Sequence, residues 1–348
     1  MNTSQPRPKR RPRWFQFSLA ALLVAMLVAA ILSKWGADTA TKVKLEQQAV
    51  EAIRERGADL ATKQQIQKDP FAEGSQASEP VVEVLDASEA LHALLGTSDV
   101  ANLASVILRD RPISDEDLEL LRPLKQVRHL DLSGTKITNA GLAHLMEFDN
   151  LQTLDLDGTL IADAGLAHLR GLQALKKLNL RGTLISDAGM EHLRELNTLT
   201  EINLDSTDIG DAGLEQLGQL KELTSLGLYN TKVTDAGLGH LTNLRLNRLA
   251  IESTGVRGPG LEHLRTQTQL TTLNIVGNDI DSENFAHLEP LPNLYWLWVS
   301  GENVDDETLE HLRRIPKLRM VRFWEPELTP EELARVSEAL PEINVYSP

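Results

Sequence analysis

Residues Leu151–Ala174 read LQTLDLDGTLIADAGLAHLRGLQA, and the stretch decides the fold because it recurs. Units with the same skeleton start at Leu103, Val127, Leu151, Leu175, Leu199, Leu223, Leu246, Leu270, Leu294 and Leu318. Every step is 24 residues except the 23 between Leu223 and Leu246. A fixed period of this size is the mark of a solenoid. Within one unit the apolar spacing changes. Leu151, Leu154 and Leu156 alternate as a strand does, whereas Leu166, Leu169 and Leu172 have helical spacing. Each unit is therefore a short strand, a turn and a short helix. No single unit can bury its own leucines, so each needs a neighbour on both sides.

The unit can be read residue by residue. In Leu130-Asp131-Leu132-Ser133-Gly134-Thr135 the two leucines point inward, and His129, Asp131 and Ser133 point to the opposite, concave face. Thr135 recurs as Thr159, Thr183, Thr207, Thr231 and Thr254, then becomes Asn278. A short hydroxyl or amide at that turn can bond the backbone groups freed as the chain leaves the strand, so the column is structural. Thr138, Ser186, Thr234, Asp281 and Asp305 are competent N-caps for the helices. Asp163, Asp187, Asp211 and Asp235 follow one place on, where negative charge suits the helix dipole. The unit from Leu246 is irregular. Val256-Arg257-Gly258-Pro259-Gly260 replaces the usual signature there, and a local kink is expected.

The skeleton L-x-x-L-x-L-x-x-T-x-I-T-D-A-G-L-x-H-L resembles the leucine-rich repeat family. It is most similar to the variant related to the cysteine-containing subclass, with Thr where that subclass carries Cys. The tandem covers ten units, residues 103–341. The resemblance implies an α/β fold: a right-handed solenoid, or horseshoe, with a parallel concave sheet and convex short helices. It also implies a role in protein–protein interaction. Residues 81–102, with a strand at Val81–Val84 and a helix from Asp86, read as an N-terminal cap. Thr329-Pro330-Glu331-Glu332 is a capping box that starts a closing helix, and residues 342–348 read as a C-terminal cap strand.

The front of the chain is of another kind. Residues 1–34 hold six basic residues and no acidic ones, so residues 35–348 are left with 29 basic and 50 acidic, a net charge of -21. Such an acidic body repels phosphate backbones and argues against nucleic acid as a partner. Residues 1–13 form a basic tail. Phe15–Ser33 is uncharged and apolar, and as a helix would span roughly 28 Å, close to the bilayer's hydrocarbon thickness. Trp14 and Trp35 bracket it, so residues 14–35 read as a single transmembrane helix with its basic end cytoplasmic. The repeats would then lie outside the cytoplasm at the cell membrane. A cleaved signal peptide is the rival, disfavoured by the length of the apolar core and by Asp38 where a small residue would be needed. Residues 36–80 read as a juxtamembrane helix and a polar linker. With this tail, membrane helix and stalk, the chain resembles bacterial membrane-anchored repeat proteins.

Candidate sites follow from the concave face. Its middle column runs Ile107, Asp131, Asp155, Asn179, Asn203, Gly227, Ala250, Asn274, Trp298, Arg322. Asp131, Asp155, Asn179 and Asn203 make its first half polar and acidic. At the other end Trp296 and Trp298 share one strand face, with Trp324 on the next strand and Arg322 beside Trp298, close enough to stack. Aromatics with an arginine neighbour are common anchors of binding surfaces; the competing reading packs them under the C-terminal cap. Seven of the nine histidines fall in one helix column: His144, His168, His192, His240, His263, His287 and His311. No acidic ligand recurs in register with them, and zinc needs a convergent set rather than a line, so no metal is expected. The chain has no cysteine. It also lacks a phosphate-cradling glycine loop, a G-x-S-x-G elbow and an H-E-x-x-H helix. No cofactor and no enzymatic activity are expected. The expected partner is a protein or peptide on the concave face, with a carbohydrate or cell-wall glycan stacked on the tryptophans as the alternative.

Overall fold

A computed structural model describes residues 81–83 and 104–347 apart from 123 and 325. Twelve strands form one sheet in chain order, every neighbouring pair parallel. They are β1 (Val81–Glu83), β2 (Ser105–Ile107), β3 (His129–Asp131), β4 (Thr153–Asp155), β5 (Lys177–Asn179) and β6 (Glu201–Asn203). The second half comprises β7 (Ser225–Gly227), β8 (Arg248–Ala250), β9 (Thr272–Asn274), β10 (Trp296–Ser300), β11 (Met320–Trp324) and β12 (Asn344–Tyr346). The end strands keep the beat of the repeats: Val81 pairs with Ser105 and Met320 with Asn344. The expected tail, membrane helix, stalk and first cap helix lie outside the described residues. Among the described residues no helix is long and apolar enough to cross a membrane.

The inward strand column, from Leu130 through Leu154, Leu178, Ile202, Leu226, Leu249, Leu273 and Leu297 to Val321, is buried throughout, as is the helix column of Leu142, Leu166, Met190, Leu214, Leu238 and Leu261. These side chains form one continuous core rather than one core per unit. Each buried leucine is worth roughly 1.5–3 kcal/mol against exposure. The helices are tighter than helical spacing alone suggests. Asn139–Leu142 runs on as the 3-10 turn Ala143–Leu145, and Asp163–Leu166 as Ala167–Leu169. Pro259–Thr266 and Ser282–Leu288 are 3-10 throughout. The reason lies in the spacing of Leu166, Leu169 and Leu172. Steps of three residues eclipse where the helix tightens to 3-10, so Leu166 and Leu169 both enter the core, and the turn beyond brings in Leu172.

Two recurring sets of side-chain hydrogen bonds hold the repeat, the first within each unit and the second between units. The hydroxyls of Thr135, Thr159, Thr183, Thr207, Thr231 and Thr254 each donate to the carbonyl three residues back, at 2.5 to 2.9 Å. Asn278 takes over with its amide, donating to Ile275 at 3.1 Å and to Ile251 of the preceding unit at 2.7 Å.

The second set changes the reading of the aspartate column. Asp163 opens its own helix, yet its carboxylate accepts from the backbone N–H and the hydroxyl of Ser186 in the next unit, at 2.7 and 2.6 Å. Asp115 does the same for Thr138, and Asp211 for Thr234. Asp187 reaches the N–H groups of Gly210 and Gly213, and Asp235 those of Arg257, Gly258 and Gly260. The glycine of each D-A-G triplet makes room for this. A Cβ on Gly189 would lie 2.5 Å from the Asp163 Oδ1, and one on Gly213 2.6 Å from that of Asp187. The expected caps at Thr138, Ser186, Thr234 and Asp305 accept N–H groups of their own helices, whereas Asp281 makes no such bond.

The short unit does not interrupt the sheet. Gly227 pairs with Ala250 and Ala250 with Asn274 in unbroken register. In regular units a backbone turn serves the N–H that enters the strand, as Leu220 O does for Leu223. With one residue missing, Leu246 N–H has no such turn. The buried Gln267 of the next unit supplies the acceptor at 3.0 Å and donates its amide to Leu241 O at 2.8 Å.

Candidate functional site

The middle column of the concave face falls into two parts. Asp131, Asp155, Asn179 and Asn203 lie side by side on β3 to β6. Each is half-buried, and each turns an oxygen back to the N–H two residues on: Asp131 to Ser133, Asp155 to Asp157, Asn179 to Arg181 and Asn203 to Asp205, at 2.8 to 3.1 Å. These short acceptors end the strands. Their remaining lone pairs face the concavity or a neighbour. Asp131 pairs with Arg109 at 2.8 Å, and Asn179 donates to Asp155 at 3.0 Å.

Burial raises the Asp155 carboxyl above the ordinary aspartate range, and the charges of Asp131 and Asp157 add to the rise, against the hydrogen bonds that Asp155 accepts. Asp205 is raised in the same way by burial, with Asp157 adding, although it accepts the N–H of Tyr229 at 2.8 Å. This end of the face therefore carries carboxylates crowded at some cost.

Beyond Gly227 and Ala250 the surface changes. Trp296 and Trp298 meet edge to face, with ring centroids 5.8 Å apart and planes at 77°. Both are half-buried, and their indole nitrogens are buried without a hydrogen-bond partner. Trp298 pairs in register with Arg322, and Arg322 with Tyr346 of β12. The C-terminal strand thus extends the sheet at its edge, leaving Trp324 36% exposed. The expected stack of Arg322 on Trp298 is corrected: the guanidinium lies over the ring of Trp324, 4.4 Å from its centre. Positions 322 and 324 share one face of one strand, so the arginine folds along its own strand instead of across to the next. Among the described residues its N–H groups have no acceptor.

A concavity of about 240 Å³ opens here, lined by Tyr229, Glu252, Asn274, Val276, Trp298, Arg322 and Trp324. It brings together three of the expected site residues. Trp296 sits at the start of its strand and does not line it, and the Asp131–Asn203 row lies at the other end of the sheet. Tyr229, Glu252 and Val276 were not expected. They belong to the column two residues beyond the strand middle, which also carries Trp324, and following that column at the repeat period would have found them. Asn274 is buried and held by Glu252, to whose carboxylate it donates.

The histidine column lies on the helix side, and two of its members are tied to side chains of the preceding unit. His311 Nδ1 is 2.7 Å from Glu289, and His192 Nδ1 is 2.5 Å from Arg170. Among the described residues no three His, Asp or Glu side chains converge as a metal site would need.

The family described as the leucine-rich repeat region matches residues 100–342. No curated protein matches the chain. Similar solved structures include an internalin (inlF) from Listeria monocytogenes, with a TM-score of 0.47 and 19% identity, over 76% of this chain and 85% of that one. Internalin C2 (inlC2) from the same organism gives a TM-score of 0.46 and 22% identity, over 68% and 92%.

Proposed function

Because the chain belongs to the leucine-rich repeat family, we propose that it is a membrane-tethered interaction scaffold that presents its concave face to a protein partner outside the cytoplasm. One observation carries the binding part of this reading. The concave face ends in a patch of Trp298, Arg322 and Trp324 that no other element covers among the described residues, on a sheet whose other face packs on the core. Half-buried aromatics beside an arginine are the residues that most often dominate binding energy at protein interfaces. The tether rests on sequence: the basic tail, the apolar run Phe15–Ser33 and the flanking tryptophans.

A glycan partner is less well served. Sugar rings stack on open aromatic faces, yet Arg322 occupies one face of Trp324, and Trp296 and Trp298 meet edge to face with their N–H groups turned inward. The remaining polar side chains of the concavity, Asn274 and Glu252, are engaged with each other.

Crosslinking in intact membranes tests the reading. The wild-type chain should sediment with membranes at full length and crosslink to a defined protein. The double variant Trp298→Ala/Trp324→Ala should melt as the wild type does and lose that adduct. A soluble product that begins beyond residue 40, or an adduct indifferent to the double variant, would contradict the tether or the binding face respectively.

A further inference from the structure

The Arg322 guanidinium is a cation prepared for an anion. It is half-buried, lies over the Trp324 ring 4.4 Å from its centre, and its N–H groups meet no acceptor among the described residues. Elsewhere on this face Arg109 holds Asp131, and Lys177 holds Glu201 at 3.0 Å. An arginine stacked on an indole keeps its planar fork in one orientation, so little rotamer freedom is lost when a carboxylate takes two parallel hydrogen bonds from it. The concavity that it borders has apolar walls, Trp298, Tyr229 and Val276, which strengthen such a pair by excluding water. Glu252 stands at the far wall, three strands or roughly 14 Å away along the sheet. It disfavours a second carboxylate there, as does the acidic row beyond it. The surface therefore admits one anionic group, at the Trp324 end.

Resting on the scaffold reading above, we infer that this concavity seats an acidic side chain of the protein partner, its carboxylate on Arg322 and an adjoining apolar residue against Trp298 and Tyr229. Complementary charge argues for this occupant: the only unpaired cation described in the concavity faces it, and that cation takes the face of Trp324 on which a sugar ring would otherwise stack. Arg322 would bind directly, and Trp324 would act as the positioning residue that holds the fork in place.

The test selects random linear peptides displayed on phage against the full-length chain and keeps those whose binding is lost in Trp298→Ala. The expected peptides share one aspartate or glutamate. Arg322→Gln should weaken them at least roughly tenfold, with melting unchanged. Replacing the peptide's acid by its amide should weaken binding to the wild type equally and change little further on Arg322→Gln. Trp324→Ala should weaken binding, and Trp324→Phe restore it. Peptides without a common acid, or indifferent to Arg322→Gln, overturn the carboxylate seat and leave the scaffold standing. A library that yields no peptide dependent on Trp298 overturns both. Binding of polygalacturonate through Arg322 in place of any peptide reassigns the seat to acidic sugars and also overturns both.

Discussion

Gly189 and Gln267 show how single residues hold the repeat together. A methyl group at Gly189 would meet the Asp163 carboxylate that bridges to Ser186. Gly189→Ala is expected to cost roughly 1–3 kcal/mol, as overpacking does, and to lower the melting temperature. Gln267 is the more discriminating case, because its counterparts in other units, such as Leu172 and Leu291, are leucines. Gln267→Leu brings the unit closer to consensus, yet it should destabilise by roughly 1–3 kcal/mol because Leu246 N–H loses its acceptor, while Leu241 C=O keeps only the N–H of Leu244. A rise in melting temperature would refute the compensation.

Asp155 makes a pH-dependent prediction. Its carboxyl is raised in the folded protein, chiefly by burial. The proton is then held more tightly folded than unfolded, so the contribution to stability is largest in acid and is lost as pH rises through the folded value. Asp155→Asn keeps an oxygen acceptor for Asp157 and removes the charge. It should raise the melting temperature at neutral pH, and the gain should vanish in acid, below the ordinary aspartate range. A loss of stability at neutral pH would contradict this.

At the scale of elements, the strand and helix of each unit were legible because two spacings sit side by side in one period. Leucines two apart give a strand, and leucines three apart give a tight helix. The partners of polar side chains were less legible. Asp163 lies where it could serve its own helix dipole, and only the stacking of one unit on the next shows that it serves the following cap. Arg322 likewise had two aromatic neighbours at nearly equal reach, Trp298 across the strands and Trp324 along its own. Column arithmetic places all three residues on one face but does not choose between side-chain rotamers.

The closing helix Pro330–Ala339 was readable to its first residue, for the Thr329 hydroxyl and the Glu332 side chain form the reciprocal capping box. Thr329→Ala should loosen this element by about 1 kcal/mol, raising hydrogen exchange there before that of the central strands.

For the whole molecule, one sheet of twelve strands runs along a continuous core, which leaves a long inner surface with an acidic end and an aromatic, cationic end. That division follows from which residues the period leaves outside the core, and so it could be read from the columns in advance. The concavity was not, although Tyr229 and Glu252 stand in a column that keeps the repeat period, because the members of that column have little in common to draw attention to it. The proposed tether, outward display and protein partner build on that surface.

The most direct measurement places a photocrosslinking amino acid singly at concave positions 229 and 250 and at the convex position 215 in the full-length chain, and irradiates intact cells. The account predicts one protein adduct of the same size from 229 and 250 and none from 215. An adduct from 215 alone, or equal labelling from both faces, would contradict it.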